Sequence, residues 1–322
     1  MHITYISWAE SCSRSDNTAR ELGGSSHKVY MAGLGSNPLT ILLKYAGQSL
    51  MALRILFREK PGAVFVMSPP VIAVLSVYFY CLLKRVPFVI DAHTAAFLHP
   101  RWLRFQWLQR FLSRKAATTI VTNTFLKKTV EDGGGHATIL RDVPVKYEVK
   151  DKYPMNGAFN IATVCSFNPD EPILEIFRAA KEVEDIHFYM TGDTKFLAPE
   201  IANEKPENVK LTGFIPDSQY GSLISDAGAV LTLTTRDHTM LRGAYEAIYQ
   251  GTPVIISDWP LLKESFSKGA IHTNNTAEEI IAAANKLKAD AAAFQEEALA
   301  LQQQKLEEFA ASLKELKARI GF

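Results

Sequence analysis

The sequence predicts an α/β protein made of two halves, each built on a doubly wound parallel sheet. Three observations lead there. Short β-rich runs alternate with helical runs from His2 to Leu140, and again from Phe159 to Thr273. A proline-bearing stretch, Asp142 to Gly157, interrupts the alternation. Finally, Val230 to Ser257 reads as strand, polar loop, helix, glycine stop and strand, a crossover that makes its two strands parallel. A length of 322 residues suits two domains, and 47% hydrophobic with 21% charged residues is globular.

The elements follow in order. His2 to Ser7 is a first strand. Ser15 or Asp16 caps a helix to Leu22, so Ser13 to Asp16 is either a capped turn or a loop facing a cleft. His27 to Met31 is a second strand. Asn37 or Pro38 starts a helix to about Lys60, where Pro61-Gly62 stops it. Ala63 to Met67 is a buried strand. Val71 to Leu83 is strongly apolar, yet too short for the ~20 residues that span a bilayer, so it reads as a buried helix on the sheet. Phe88 to His93 is a strand and its exit, which puts Asp91 and His93 at a carboxyl end. Arg101 to Lys115 reads as one helix. Thr118 to Asn123 and Ala137 to Leu140 are strands, with a helix capped by Thr124 between them. In the second half, strands run at Phe159–Cys165, His187–Thr191, Val209–Ile215, Val230–Thr234, Val254–Ile256 and Ala270–Thr273, with helices between. From Thr276 onward the chain is helical. Leu306, Phe309, Leu313, Leu316 and Ile320 form one apolar stripe there.

Charge divides unevenly. From Leu22 to Val130 there are fourteen Lys/Arg and two acids, whereas the whole chain nets only +1. The basic part faces something anionic, or at least differs from the rest of the chain in its partner. Arg101, Trp102, Arg104, Trp107 and Arg110 place cations and aromatics on one helix with no acid nearby. This favours contact with an anionic membrane surface over a merely solvated helix face. No RNA-binding motif accompanies the charge, so nucleic acid is not expected. Cys12, Cys81 and Cys165 are scattered, which argues for a reducing compartment and against a disulfide or zinc site. The N-terminal residues do not read as a signal peptide. No Asp-x-Asp, P-loop, Gly-x-Gly-x-x-Gly or Gly-x-Ser-x-Gly pattern occurs, so no metal or resident cofactor is expected.

What remains is Gly243-Ala-Tyr-Glu246-Ala-Ile-Tyr-Gln-Gly251-Thr-Pro253-Val-Ile-Ile-Ser257, preceded by Val209 to Asp217 and by the strand before Thr235. This resembles the donor-binding signature of GT-B glycosyltransferases, in particular the retaining, nucleotide-sugar-dependent "glycosyl transferases group 1". The resemblance implies two Rossmann-like domains facing a cleft: 1–145 for the acceptor and membrane, a linker at 146–158, and 159–300 for the nucleotide sugar. It also implies that 301–322 crosses back as a helix. Glu246 would bind the donor ribose, and the amides of Thr239, Met240, Leu241 and Gly243 the diphosphate. Arg236 and Arg242 would add charge, Phe214 and Ile215 would meet the base, and Ser166 would lie beside the donor. His93, Asp91 and His238 are the catalytic candidates, and Arg14 joins the acceptor set. Two departures stand out: His238 occupies the position eight residues before Glu246 where the family has Glu, and its Arg and Lys after the first donor-domain strand are not evident in Ser166 to Pro172. The expected activity is sugar transfer from a UDP- or GDP-linked donor to a lipid-linked or saccharide acceptor, in polysaccharide or cell-envelope synthesis at the cytoplasmic membrane face. An epimerase or a non-catalytic subunit on the same scaffold are the alternatives.

Overall fold

The computed structural model describes residues 2–34, 38–147 and 151–321. The chain divides into two compact units, Met1–Val143 with Phe309–Phe322, and Pro144–Glu308.

The first unit runs β1 (Ile3–Ser7), α1 (Ser13–Glu21), β2 (Ser25–Lys28), α2 (Pro38–Glu59), β3 (Ala63–Ser68), α3 (Val71–Lys84), β4 (Phe88–Ala92), α4 (Ala95–Leu98), α5 (Pro100–Leu103), α6 (Gln106–Lys115), β5 (Thr118–Val121), α7 (Thr124–Asp132) and β6 (Ala137–Ile139). Its six strands are parallel in the order β2-β1-β3-β4-β5-β6. Every residue of β3 is buried because both faces of the sheet are covered. Ile6, Val64, Val66 and Ile90 point to the side of α2, α3, α6 and α7. Ile3, Tyr5, Phe65 and Val89 point to the other side, where they meet Ala19 and Leu22 with Leu316 and Ile320.

The second unit runs β7 (Phe159–Thr163), α8 (Ile173–Glu182), β8 (Ile186–Thr191), α9 (Pro199–Ala202), β9 (Val209–Gly213), α10 (Asp217–Asp226), β10 (Ala229–Thr232), α11 (Arg242–Tyr249), β11 (Val254–Ser257), α12 (Pro260–Ser265), β12 (Ala270–Thr273), α13 (Ala277–Ala289) and α14 (Ala291–Arg319). Its strands are parallel in the order β12-β11-β10-β7-β8-β9. In both sheets the strand order reverses at the first strand of the unit, between β1 and β3 and between β7 and β10. Such a reversal sends neighbouring crossovers in opposite directions and leaves a crevice at the carboxyl edge.

Several expectations need correction. The run from Val71 is not wholly buried: Phe79, Leu82 and Leu83 are 58%, 61% and 68% exposed, because only one stripe of α3 faces the sheet. No helix among the described residues is long and apolar enough to cross a membrane. The single helix expected over Arg101 to Lys115 is two helices. The Gln106 side chain donates to the Ala96 and Trp102 carbonyls, and the turn breaks around Arg104-Phe105. Asn123, not Thr124, caps α7 by accepting from the Leu126 amide at 2.8 Å. Asn37, the alternative start for α2, lies outside the described residues. The C-terminal helical stretch is interrupted at Asp290. Its stripe also divides: Leu306 packs in the second unit's core, while Phe309, Leu313, Leu316 and Ile320 pack in the first unit's.

Leu316 is fully buried, whereas Leu299, earlier on the same helix, is 48% exposed. Leu316→Ala is expected to destabilise the first unit by about 2–5 kcal/mol, and Leu299→Ala by no more than about 0.5 kcal/mol. Chemical denaturation of the two variants checks this.

Candidate functional site

In the second unit, the chain leaves β10 into the loop Leu233 to Leu241 and re-enters as α11. Gly243 in the first turn of α11 allows that turn to lie against the exit of β7, since a Cβ there would meet the Val164 side chain at 2.8 Å. The loop is held at both ends. The Thr234 amide donates to Ser257 Oγ and its hydroxyl to Asp170, both at 2.8 Å. The Thr234 carbonyl accepts from Trp259 Nε1 and Asn275 Nδ2. Met240 and Leu241 are anchored on the unit's core, and Thr239 beside them is half-buried.

Glu246 projects from the second turn of α11 and is 7% exposed. Arg242 Nε donates to Oε1 at 2.7 Å, and the Tyr220 hydroxyl donates to Oε2 at 2.6 Å. Tyr147 also bonds to Glu246, and its ring meets that of Tyr220 edge-on with centroids 5.4 Å apart. Burial, reinforced by the Glu246 charge, raises both phenols, so they act as donors at neutral pH. A carboxylate accepts about four hydrogen bonds, so Glu246 retains acceptor capacity beside these partners.

The other candidates in this unit are arranged differently from expectation. Arg236 pairs with Asp170 at 3.2 Å. The Ser166 amide is not free for a ligand: it donates to the Glu171 carboxylate at 3.0 Å, as the Asn168 amide does at 2.8 Å. Burial raises the Glu171 carboxyl, and those amides oppose the shift. Asp170 and Glu171, the acids of the Ser166 to Pro172 stretch, are thus both engaged by neighbouring protein groups. His238 has φ +57, is 3.6 Å from Asp237 and lies on the exposed part of the loop. Phe214 is 84% exposed after the Gly213 turn, and Ile215 is packed on the core.

In the first unit, Asp91 is completely buried on β4. It accepts from the Tyr5 hydroxyl at 2.6 Å and from Arg14 Nε at 2.9 Å, while Arg14 also donates to the Leu140 and Arg141 carbonyls. Burial alone would raise the Asp91 carboxyl; Arg14, His93 and Tyr5 override it and hold it below the usual range. Asp91 and Arg14 are therefore a buried pair that ties α1, β4 and the end of β6 together. They are not an exposed acid/base or an acceptor-facing cation. His93 is bound through its backbone amide to the Ser68 carbonyl at 2.8 Å, and its Nε2 is buried without a hydrogen-bond partner. Burial lowers its pKa, with Asp91 opposing, so the imidazole is neutral at pH 7. Arg101, Arg104, Trp107 and Arg110 are exposed, but Trp102 is half-buried against the core.

Residues 174–313 match the family described as glycosyl transferase-like. Sucrose-phosphate synthase from Thermosynechococcus elongatus is similar in structure with a TM-score of 0.73, at 12% identity over 98% of both chains. Anabaena HepE, solved with UDP and glucose, gives 0.68 at 14% identity over 99% of this chain and 100% of that one. A glycosyltransferase from Rickettsia africae gives 0.67 at 12% identity, covering 99% and 97%. No curated protein matches the sequence. Residues 174–313 are thus similar to the glycosyl transferase-like family, and the chain has the GT-B fold.

Sequence reasoning missed Tyr220 and Tyr147. Tyr220 follows the Pro216-Asp217 helix start by one turn, a weak signal. Tyr147 lies in a stretch read only as linker, where nothing marked it. It also missed that Asp170 and Glu171 occupy the polar groups at the β7 and β10 exits.

The Asp91 carboxylate has a lowered folded pKa. Its contribution is therefore complete above the unfolded value of about 3.9 and is lost as pH falls from there through the folded value. Asp91→Asn leaves Arg14 uncompensated and is expected to cost about 3–5 kcal/mol at neutral pH. It should also flatten the acid limb of stability, as read by denaturation midpoints from about pH 5 down to about pH 2.

Proposed function

We propose that this transferase moves a sugar from a UDP-linked donor to a lipid-linked or saccharide acceptor at an anionic membrane face. The observation that carries the donor assignment is Glu246, a buried carboxylate in the second turn of α11, aimed by Arg242 and Tyr220 beside the exits of β7 and β10. Ribose hydroxyls donate to a carboxylate. The amides that open α11, with the positive end of its dipole, suit a diphosphate. UDP is favoured over GDP because the similar HepE structures hold UDP and UDP-glucose. The leaving diphosphate is stabilised by these amides with Arg242 and Arg236, and transfer proceeds with retention. His93, a neutral imidazole at the exit of β4, serves a hydroxyl of the acceptor.

An epimerase is the second reading, since a UDP-N-acetylglucosamine 2-epimerase from Listeria monocytogenes is similar at a TM-score of 0.63. Epimerisation needs acid/base carboxylates. Asp91 is already committed to Arg14 and Tyr5, so transfer is the better supported of the two.

The membrane assignment rests on the first unit's surface. Of the large apolar side chains that stand exposed, most belong to this unit. They include Leu43, Leu50 and Phe57 on α2, Leu82 and Leu83 on α3, and Trp107 on α6. Lys84 stands over the Phe57 ring and Lys115 over the Phe111 ring, which keeps cations at the edge of apolar surface. Exposed apolar side chains with a cationic rim and almost no acid match an anionic lipid interface.

Two outcomes follow. Glu246→Ala removes charge-assisted hydrogen bonds worth about 1.5–3 kcal/mol, so calorimetry should show UDP binding weakened by about tenfold or more; unchanged affinity would remove Glu246 from the donor seat. In vesicle sedimentation, wild type should bind anionic vesicles and release as salt rises. The double variant Leu82→Ser, Leu83→Ser should bind less even at low salt; equal binding to neutral vesicles would reject an electrostatic membrane face.

A further inference from the structure

The second unit carries an anion seat that its own chain fills. The loop Ser166 to Pro172 leaves β7 and leads into α8. Phe167 is left-handed there, at φ +57, and its ring is buried in the core, so the turn is pinned where it stands. A left-handed residue within a turn points successive backbone N–H groups at one spot, and such a concavity binds anions. Here that spot holds the Glu171 carboxylate. The Ser166 amide lies 3.0 Å from each of its oxygens, and the Asn168 amide donates to Oε2 at 2.8 Å. The Phe167 amide acts on the same carboxylate.

Two features set this spot beside the start of α11. Val164 lies against Gly243 in the first turn of that helix, and Ser166 follows two residues later, within about 7 Å of chain. The loop is also tied to the β10 exit. The Thr235 amide donates to the Asp170 carbonyl at 2.7 Å, the Thr234 hydroxyl donates to the Asp170 carboxylate at 2.8 Å, and Arg236 pairs with that carboxylate at 3.2 Å. Asp170 thus has a cation, whereas the charge of Glu171 is met by backbone amides. Ser166 and Asn168 are exposed and Glu171 is half-buried, so a ligand from solvent can reach the same amides.

We propose that Glu171 is an internal competitor for the donor phosphate: its carboxylate holds the Ser166 to Asn168 amides, and nucleotide binding exchanges it for a phosphate oxygen. The inference rests on the reading of this edge as the donor seat, and names what regulates that seat. Carboxylate and phosphate oxygens accept alike from an amide, so the exchange leaves every amide bonded. Two anions do not share one such spot without one of them taking a proton or leaving. Burial raises the Glu171 carboxyl and Asp170 adds to the shift, while the amides oppose it. A diphosphate raises it further, so binding takes up a proton and strengthens as pH falls from about 7 toward about 5. The neighbouring titratable groups are fixed: Asp170 is paired with Arg236, and burial keeps the Cys165 thiol protonated.

Calorimetric titration of the full chain with UDP and with inorganic pyrophosphate tests it. Glu171→Gln keeps an oxygen for the amides and removes the charge, and Glu171→Ala clears the spot. At neutral pH both variants should bind UDP and pyrophosphate several-fold tighter than wild type, with circular dichroism unchanged. Glu200→Gln, the same charge change on the exposed part of α9, should leave both affinities at the wild-type value. In buffers of different ionisation enthalpy, wild type should take up more protons on binding UDP than Glu171→Gln does. The ionisation of UDP itself is common to both proteins and cancels in that difference. The advantage of Glu171→Gln should also shrink as pH falls to about 5, since Glu171 becomes neutral in wild type. Glu246→Ala should weaken UDP and leave pyrophosphate unchanged, which separates failure here from failure of the donor seat. Affinity unchanged or lowered in both Glu171 variants would make Glu171 a plain loop brace and overturn the proposal. Equal proton uptake by wild type and Glu171→Gln, or no UDP binding by either, would also overturn it.

Discussion

The structure depends on one constraint of parallel sheets. All strands leave the same edge, so every loop after a strand is gathered there, and the helices are left to cover the two faces. Where the strand order reverses, neighbouring connections diverge and that edge stays open. This chain meets the constraint twice, once in each unit. In the second unit the open edge lies between β7 and β10 and receives the start of α11. In the first it lies between β1 and β3 and is walled by Trp8, Pro69 and Pro70. The sites proposed here are consequences of that topology before they are consequences of particular side chains.

Side chains then decide what each edge holds. At the donor edge, polar groups are paired among themselves: Glu246 with Arg242 and Tyr220, Asp170 with Arg236 and Thr234, Glu171 with two backbone amides. Such pairing fixes directions, because each ionised group has partners that make its orientation unique. A nucleotide entering this edge shares Glu246 with Tyr220 rather than meeting a bare carboxylate. In the first unit the opposite holds. Trp8 Nε1 and His93 Nε2 are buried and unpartnered, while the buried pair of Arg14 with Asp91 is spent on holding α1 to the sheet.

Much of this was legible in the sequence. Strand positions followed from short apolar runs between turn residues, since a strand buried on both faces must be apolar along its length. The α11 segment was legible because a glycine-bounded βαβ crossover has few alternative conformations. The departures arise where side chains overrule local pattern. A Gln106 amide that captures carbonyls split a helix that periodicity made continuous. The apolar run of α3 proved wider than the stripe the sheet could cover. Asp91 sits at a strand exit like a catalytic acid, yet Arg14, distant in sequence, consumes it. Tyr147 and Tyr220 were invisible as a pair, because nothing in a linear pattern brings a connecting segment onto a helix.

The central claim is that the β7/β10 edge is the nucleotide seat. Amide hydrogen exchange read by mass spectrometry, with and without UDP, tests it most directly. The account predicts that UDP slows exchange in peptides covering 164–168 and 233–246, and leaves peptides covering 3–12 and 40–50 unchanged. Protection confined to the first unit, with none in 233–246, would contradict it.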